Sequence, residues 1–200
     1  PSPASARGVW QGIKATAKVA LERDSLEGVT VAIEGGSASG KSTLAAYLGE
    51  KLNAPLLHID DFYLPFAHRT ALRMERVGGH IDSERFCQEV LEPLSQGKEI
   101  LYRPYRPHDD GWEEEQKIPP APIYIVEGSY SLLPQLADYY HYKIFLTVNP
   151  SVQLSRILKR EGREKTEQFL TRWIPAEEKY FSACEVRSYA DAAFDTSDKW

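Results

Sequence analysis

Residues 35 to 42 read GGSASGKS, which sets Gly35, Gly40, Lys41 and Ser42 at the spacing G-x-x-x-x-G-K-[ST]. The chemistry that spacing serves is the holding of phosphate. Glycines let a loop curl through positive φ and turn successive backbone N–H groups inward. A helix opening near Lys41 adds its free N–H groups and the positive end of its dipole. Lys41 then reaches the terminal phosphates, and the Ser42 hydroxyl is a magnesium ligand. Gly36, Ser37, Ala38, Ser39 and Thr43 complete the cradle. A Gly/Ser turn followed by a helix cap would have the same composition. Context favours the cradle: the β-branched run VTVAIE, 29–34, reads as a buried strand before it, and TLAAYLGEKL reads as a helix after it.

Three further groups could act near phosphate. Asp60 and Asp61 end the apolar run APLLHIDDFY, where a carboxylate can accept or orient a proton; a strand-end turn or helix cap is the plainer reading. Glu127 and Gly128 end IYIVEG, a carboxylate suited to magnesium or its waters, or to capping and buried pairing. Arg156 and Arg160 stand four apart on one predicted helix face, followed by Arg163. Guanidinium groups grip phosphate oxygens, although a solvated basic face would show the same spacing.

The elements that must position these residues alternate. Apolar spacing predicts a helix over 9–24 and strands over 29–34, 54–63, 123–128, 143–148 and 191–196. Helices are predicted over 41–52, 151–161 and 164–188, with a short one around 69–76. Asp82 or Ser83 caps another over 83–96, and Pro93 weakens its end. Residues 97–122 are expected to be loop. This is the pattern of an α/β domain with a mainly parallel sheet, in which ligands bind beyond the carboxyl ends of the strands. The Gly-rich loop, Asp60-Asp61 and Glu127-Gly128 all fall at such ends.

The chain has 200 residues, 42% hydrophobic and 26% charged, as expected for one globular domain. A net charge of −5 argues against nucleic acid as a partner. Cys87 and Cys184 fit no metal spacing and read as free thiols. No run of about 18 apolar residues predicts a membrane span, and PSPASARGVW does not read as a signal peptide. The expected location is the cytoplasm. The 9–24 helix and the apolar side of the last helix are surfaces that a homo-oligomer could use.

With these motifs in place the chain resembles the uridine kinase and phosphoribulokinase family, which includes nicotinamide riboside kinase and bacterial pantothenate kinase. GGSASGKST, HIDDFY (58–63), IVEGSYSL (125–132), KIFLTVNPSVQLSRILKRE (143–161), EEKYF (177–181) and YADAAFDTS follow the family's order. No guanine-reading [NT]KxD is present. The resemblance implies a P-loop NTPase fold, with a five-stranded parallel sheet in a three-layer α/β/α arrangement. It implies a single kinase core over 28–197, an N-terminal extension over 1–27 and a lid at about 156–165. It also implies ATP and Mg²⁺ as cofactors, and a nucleoside-like small molecule as phosphate acceptor.

Residue by residue, the resemblance makes Asp60 the catalytic carboxylate, with Lys41, Arg156 and Arg160 on the transferring phosphate. Arg163 would grip the nucleotide, and Ser42, Glu127 and Asp60 would hold magnesium. Asp61, Tyr63, His80, Tyr105 and Arg106 would meet the acceptor. Trp112 and Trp173 fit either a pocket wall or the core. The acceptor segment departs from the family pattern: RMERVGGHIDSERF, 73–86, stands where uridine kinases carry N-[FY]-D-H-P. The acceptor's identity is therefore open, with nicotinamide riboside, pantothenate or a sugar as alternatives. A nucleotide-binding regulatory module is the reading from another class.

Overall fold

A computed structural model describes residues 28–198; the helix expected over 9–24 lies outside them. Five parallel strands form the central sheet: β1 (Val29–Gly35), β2 (Leu56–His58), β3 (Ile123–Glu127), β4 (Tyr142–Thr147) and β5 (Ala192–Asp195). Their spatial order is β2-β3-β1-β4-β5. The strand that feeds the Gly-rich loop is therefore central, and every residue of VTVAIEG in β1 is buried. Two apolar clusters fill its two faces. Ala32, Leu57 and Val126 pack on one side, and Val31, Ile33 and Ile125 pack on the other against Leu44, Ala45 and Leu48 of helix α1 (Lys41–Leu52). A strand covered on both faces needs a continuous apolar run rather than alternation, as β1 and β3 show.

Register carries this layout to the site. Ile33 of β1 pairs with Glu127 of β3, and His58 of β2 pairs with the same Glu127. The carboxyl ends of three strands therefore lie side by side.

Several boundaries differ from the sequence-based expectation. β2 stops at His58, and Ile59–Asp61 form a 3₁₀ turn, so both aspartates stand beyond the strand. Within the expected 97–122 loop, Ile100–Tyr102 pairs antiparallel with Gln116–Ile118, and Tyr105–Arg106 pairs with Gly111–Trp112. The helix from Ser83 is capped by Asp82, which accepts from the Arg85 N–H at 3.1 Å. It widens into a π-turn at Cys87–Leu91 before Glu92–Ser95. The late helical region repeats this: α2 (Pro150–Gln168) passes into a π-turn at Phe169–Trp173 and then α3 (Ile174–Ala183). A proline ring clashes with the carbonyl four residues before it. For Pro93 and Pro175 those residues are Glu89 and Thr171, each inside a π-turn that makes room.

α2 is broken at Gly162, whose φ of 78° and ψ of 172° only glycine adopts readily. The break separates Arg156 and Arg160 from Arg163 and falls inside the expected 156–165 lid.

Glu34 is fully buried in β1, one residue before the loop. It accepts from Gly35 N at 2.8 Å, Leu132 N at 3.1 Å and the Tyr180 hydroxyl at 2.9 Å. Burial nevertheless raises its pKa from 4.5 to about 7, against the opposing charge of Lys41 and these hydrogen bonds. The folded chain holds this proton more tightly than the unfolded chain does. The resulting stabilisation is complete below about pH 4.5 and disappears as pH rises through about 7. Glu34→Gln removes that titration. In thermal denaturation the stability of the natural chain relative to Glu34→Gln falls by roughly 2–3 kcal/mol from pH 4.5 to 8; parallel pH profiles would contradict this.

Candidate functional site

The Gly-rich loop leaves β1 and enters α1 through Gly40 at φ 93°. Its carbonyls are each bonded. Lys41 Nζ donates to Gly35 O at 2.8 Å and Gly36 O at 3.0 Å. Gln153 Nε2 donates to Ser37 O at 2.8 Å, Arg156 Nη1 to Ala38 O at 3.2 Å, and Thr196 Oγ1 to Ser39 O at 2.8 Å. A trans peptide points its N–H opposite to its C=O. Tying the carbonyls of Ser37 and Ser39 outward therefore directs the amides of Ala38 and Gly40 to the other side. Together with the N-terminus of α1 they form an anion-binding concavity. Ala38, Gly40, Lys41, Ser42, Thr43, Arg156 and Arg160 line a cavity of ≈ 280 Å³ there.

A second cavity of ≈ 270 Å³ lies on the sheet side and shares Ala38, Lys41, Ser42 and Arg160 with the first. Asp60, Glu127 and Glu177 line it together with Tyr63, His80, Phe169 and Trp173. Asp60 is open to solvent within the cavity. Desolvation by the surrounding protein nevertheless raises its pKa from 3.8 to about 6, with Lys41 opposing and Glu127 adding to the shift. Glu127 is only 7% exposed. It accepts from Ser42 Oγ at 3.3 Å on each oxygen and pairs with His58 Nδ1 at 2.7 Å. That bond to Glu127 raises the His58 pKa. Gly128, at φ 135°, explains the glycine after Glu127: a Cβ there would sit 2.4 Å from Ile59 Cγ2, against the turn that carries Asp60.

Hard oxygen donors from Ser42, Glu127 and Asp60 around one cavity fit a hydrated Mg²⁺, which keeps several waters and takes few protein ligands. No group of three or more His, Cys, Asp or Glu that could hold a metal occurs among the described residues.

The sequence-predicted residues divide. Asp60, Lys41, Ser42, Glu127, Tyr63, His80 and Arg160 share the second cavity. Arg160 donates to Glu161 at 2.7 Å and lies over the Phe169 ring at 5.7 Å. Arg156 holds the loop through Ala38 and also bonds Thr196. Arg163 is exposed beyond the Gly162 break. Asp61 and Arg106 pair with each other at 2.7 Å, with Tyr102 donating to Asp61 at 3.1 Å. Tyr105 is 1% exposed, and its hydroxyl bonds Asp110. Trp112 packs on Tyr105 with ring centroids 5.3 Å apart.

Several residues were not found by sequence reasoning. Glu177 of α3, 5% exposed, accepts from Ser37 N at 2.8 Å, Ser37 Oγ at 2.7 Å and Ser129 Oγ at 2.9 Å. Its partners lie 140 and 48 residues away, so no local spacing could reveal it. Gln153, Thr196 and His58 act on the loop or on Glu127 and are equally silent in the sequence.

A phosphate-holding loop at the head of a parallel 2-3-1-4-5 sheet defines the class, a P-loop α/β protein. No family model matches the chain. A uridine kinase of Alkaliphilus metalliredigens is 31% identical over 165 residues, covering 74% of this chain and 78% of that one. A tRNA-specific adenosine deaminase subunit, tad2 of Schizosaccharomyces pombe, is 34% identical over 151 residues, and the match covers 71% of this chain but spans only 36% of the length of that relative. A structure reported as "a Possible Uridine Kinase" from Bacillus stearothermophilus superposes with a TM-score of 0.66 at 19% identity, covering 94% of this chain and all of that one. A protein provisionally described as a fructose transport system kinase, from Silicibacter sp. TM1040, gives 0.69 at 21% identity, covering 91% and 98%. The chain belongs to the uridine kinase family of P-loop kinases.

Removing Glu177 leaves the Ser37 amide and hydroxyl without their acceptor, and the Ser129 hydroxyl with only the Gly35 carbonyl at 3.1 Å. Glu177→Ala is expected to destabilise the chain by about 1–3 kcal/mol in urea unfolding. Ser129→Ala combined with it should cost less than the two single changes summed. Full additivity would show that the three-way contact does not hold the loop.

Proposed function

We propose that the chain transfers the γ-phosphate of Mg·ATP to a hydroxyl of a nucleoside-like small metabolite. The observation that carries this reading is the meeting of two cavities at Lys41, Ser42 and Arg160, one at the phosphate loop and one holding Asp60. Donor and acceptor need such adjacent chambers for in-line transfer. Magnesium, held by Ser42, Glu127 and Asp60, would neutralise charge on the phosphates.

This chain's residues would supply the rest. The loop amides and Lys41 hold phosphate oxygens. Ser42 and Glu127 face the metal, and His58 fixes the Glu127 carboxylate. Asp60 accepts the proton of the acceptor hydroxyl, or orients it for attack. Arg160, on the wall common to both cavities, neutralises charge on the group in transit. The Gly162 break lets the end of α2 close over the site and exclude water. Arg163 would come in with that closure. Arg156 grips the phosphate region indirectly, by holding Ala38.

The acceptor chamber favours a planar group, since Tyr63, His80, Phe169 and Trp173 present ring faces or edges there. His80 would meet that group as a neutral ring, because burial, then Arg69 and Arg172, lower its pKa to about 4. Asp61, Tyr105 and Arg106 would shape the acceptor chamber from behind. We assign no nucleic-acid partner to the reaction, in keeping with the net charge of −5. Among the described residues no helix is long and apolar enough to cross a membrane.

Asp60→Asn tests the mechanism. It should lower acceptor-dependent ADP release at least about 100-fold while ATP binding persists. In the natural chain kcat/KM should rise with pH to a plateau above about 6, where Asp60 has lost its proton. A profile flat from pH 5 to 8, or an active Asp60→Asn, would remove the base from Asp60. Failure of any hydroxyl compound to stimulate ADP release, with ATP still bound, would favour a nucleotide-binding module instead.

A further inference from the structure

Behind the acceptor chamber lies another cavity, of ≈ 200 Å³, that shares His80, Tyr130 and Trp173 with it. The far side of this common wall is basic. Arg76, Arg172 and Lys179 line it against one carboxylate, Glu75. None of the three cations is in an ion pair among the described residues, and Arg172 lies over the Trp173 ring at 4.6 Å. The chamber on the near side is mixed: Asp60, Glu127 and Glu177 line it together with Lys41 and Arg160. The rings thus divide an end of mixed charge from a cationic end.

One buried group on this wall lacks a partner. Tyr130 is 4% exposed and lines both cavities, yet its hydroxyl makes no hydrogen bond among the described residues. It is also held at φ 75°, a left-handed conformation rare for an aromatic residue. Unmet buried donors are costly, and strained residues collect where ligands bind. An oxyanion at this wall would satisfy the Tyr130 hydroxyl and the cations together.

Resting on the kinase reading above, we propose that this cavity is an anion subsite of the acceptor chamber. The acceptor carries a carboxylate or phosphate group at the end remote from its reacting hydroxyl. Arg76, Arg172 and Lys179 hold that group, and the His80, Tyr130 and Trp173 rings pack on the body between the two ends. Planar guanidinium groups suit either anion. Arg76, Arg172 and Lys179 are exposed, so an acceptor lacking the anion forgoes their attraction without leaving a buried charge unpaired.

The test has two arms on the full chain. In the first, inorganic phosphate is titrated calorimetrically with a non-hydrolysable ATP analogue and magnesium filling the phosphate loop. Phosphate should bind, and Arg172→Ala/Lys179→Ala should weaken it tenfold or more. No binding, or equal binding by the variant, overturns the subsite. In the second arm, ADP release is followed with matched acceptors: orotidine against uridine, pantothenate against its alcohol, and glycerate against glycerol. In any pair that is turned over, the anionic member should be favoured at least tenfold in kcat/KM, and the variant should lose that preference through KM. Equal or better use of the neutral member overturns the proposal while leaving the kinase reading intact. If the analogue does not bind and no acceptor is used, the kinase reading fails instead, and the variant's phosphate affinity alone decides the anion site.

Discussion

The phosphate loop works only if its backbone is turned the right way, and that orientation is enforced from outside the loop. Five consecutive carbonyls, Gly35 to Ser39, each accept a hydrogen bond from a side chain. The donors come from α1, from α2 and from the segment after β5. A glycine-rich segment has the most conformational freedom to lose on folding. Such bonds restrict it to one arrangement before any phosphate arrives, which is the preorganisation that binding and transfer both need. Glu177 fixes the Ser37 amide, as Glu34 fixes that of Gly35. The order of strands serves the same end: β5 lies at the sheet edge beside β4, so Thr196 falls under the loop.

The two adjacent aspartates show how local geometry assigns different roles to the same residue type. On the 3₁₀ turn after β2, successive side chains point about a third of a turn apart. Asp60 enters the cavity beside Lys41 and Glu127, where desolvation raises its pKa to about 6. Asp61 turns into the protein, where Arg106 and Tyr102 satisfy its carboxylate. This ion pair joins the 3₁₀ turn to the small Tyr105–Arg106 hairpin, so it holds Asp60 in place from behind.

The late helical region combines rigidity with two built-in breaks. Gly162 interrupts α2 after Arg160, and the Pro175 π-turn reshapes the chain before α3. Phe169 and Trp173, at the two ends of that π-turn, line the second cavity. The segment thus touches the loop through Gln153 and Arg156 at one end and through Glu177 at the other. Any movement of its middle is anchored at both sides on the phosphate loop.

Much of the catalytic end was legible in the sequence. The loop, the buried central strand, α1, the carboxylates at strand ends and the 83–96 helix cap are local patterns, because backbone conformation, hydrophobic period and capping act over a few residues. The family resemblance rests on the same short motifs, and the comparisons bear it out. What the sequence could not decide is which distant side chains meet. Glu177 reaches Ser37 across 140 residues, Thr196 reaches Ser39 across 157, and the fate of Asp61 depends on Arg106. The short strands within 97–122 were missed because proline-rich segments give no clear period. Long-range contacts are fixed by strand order and register rather than by local spacing. Only the tertiary structure could therefore separate Asp60 from Asp61, and the loop-holding Arg156 from Arg160 beside both cavities.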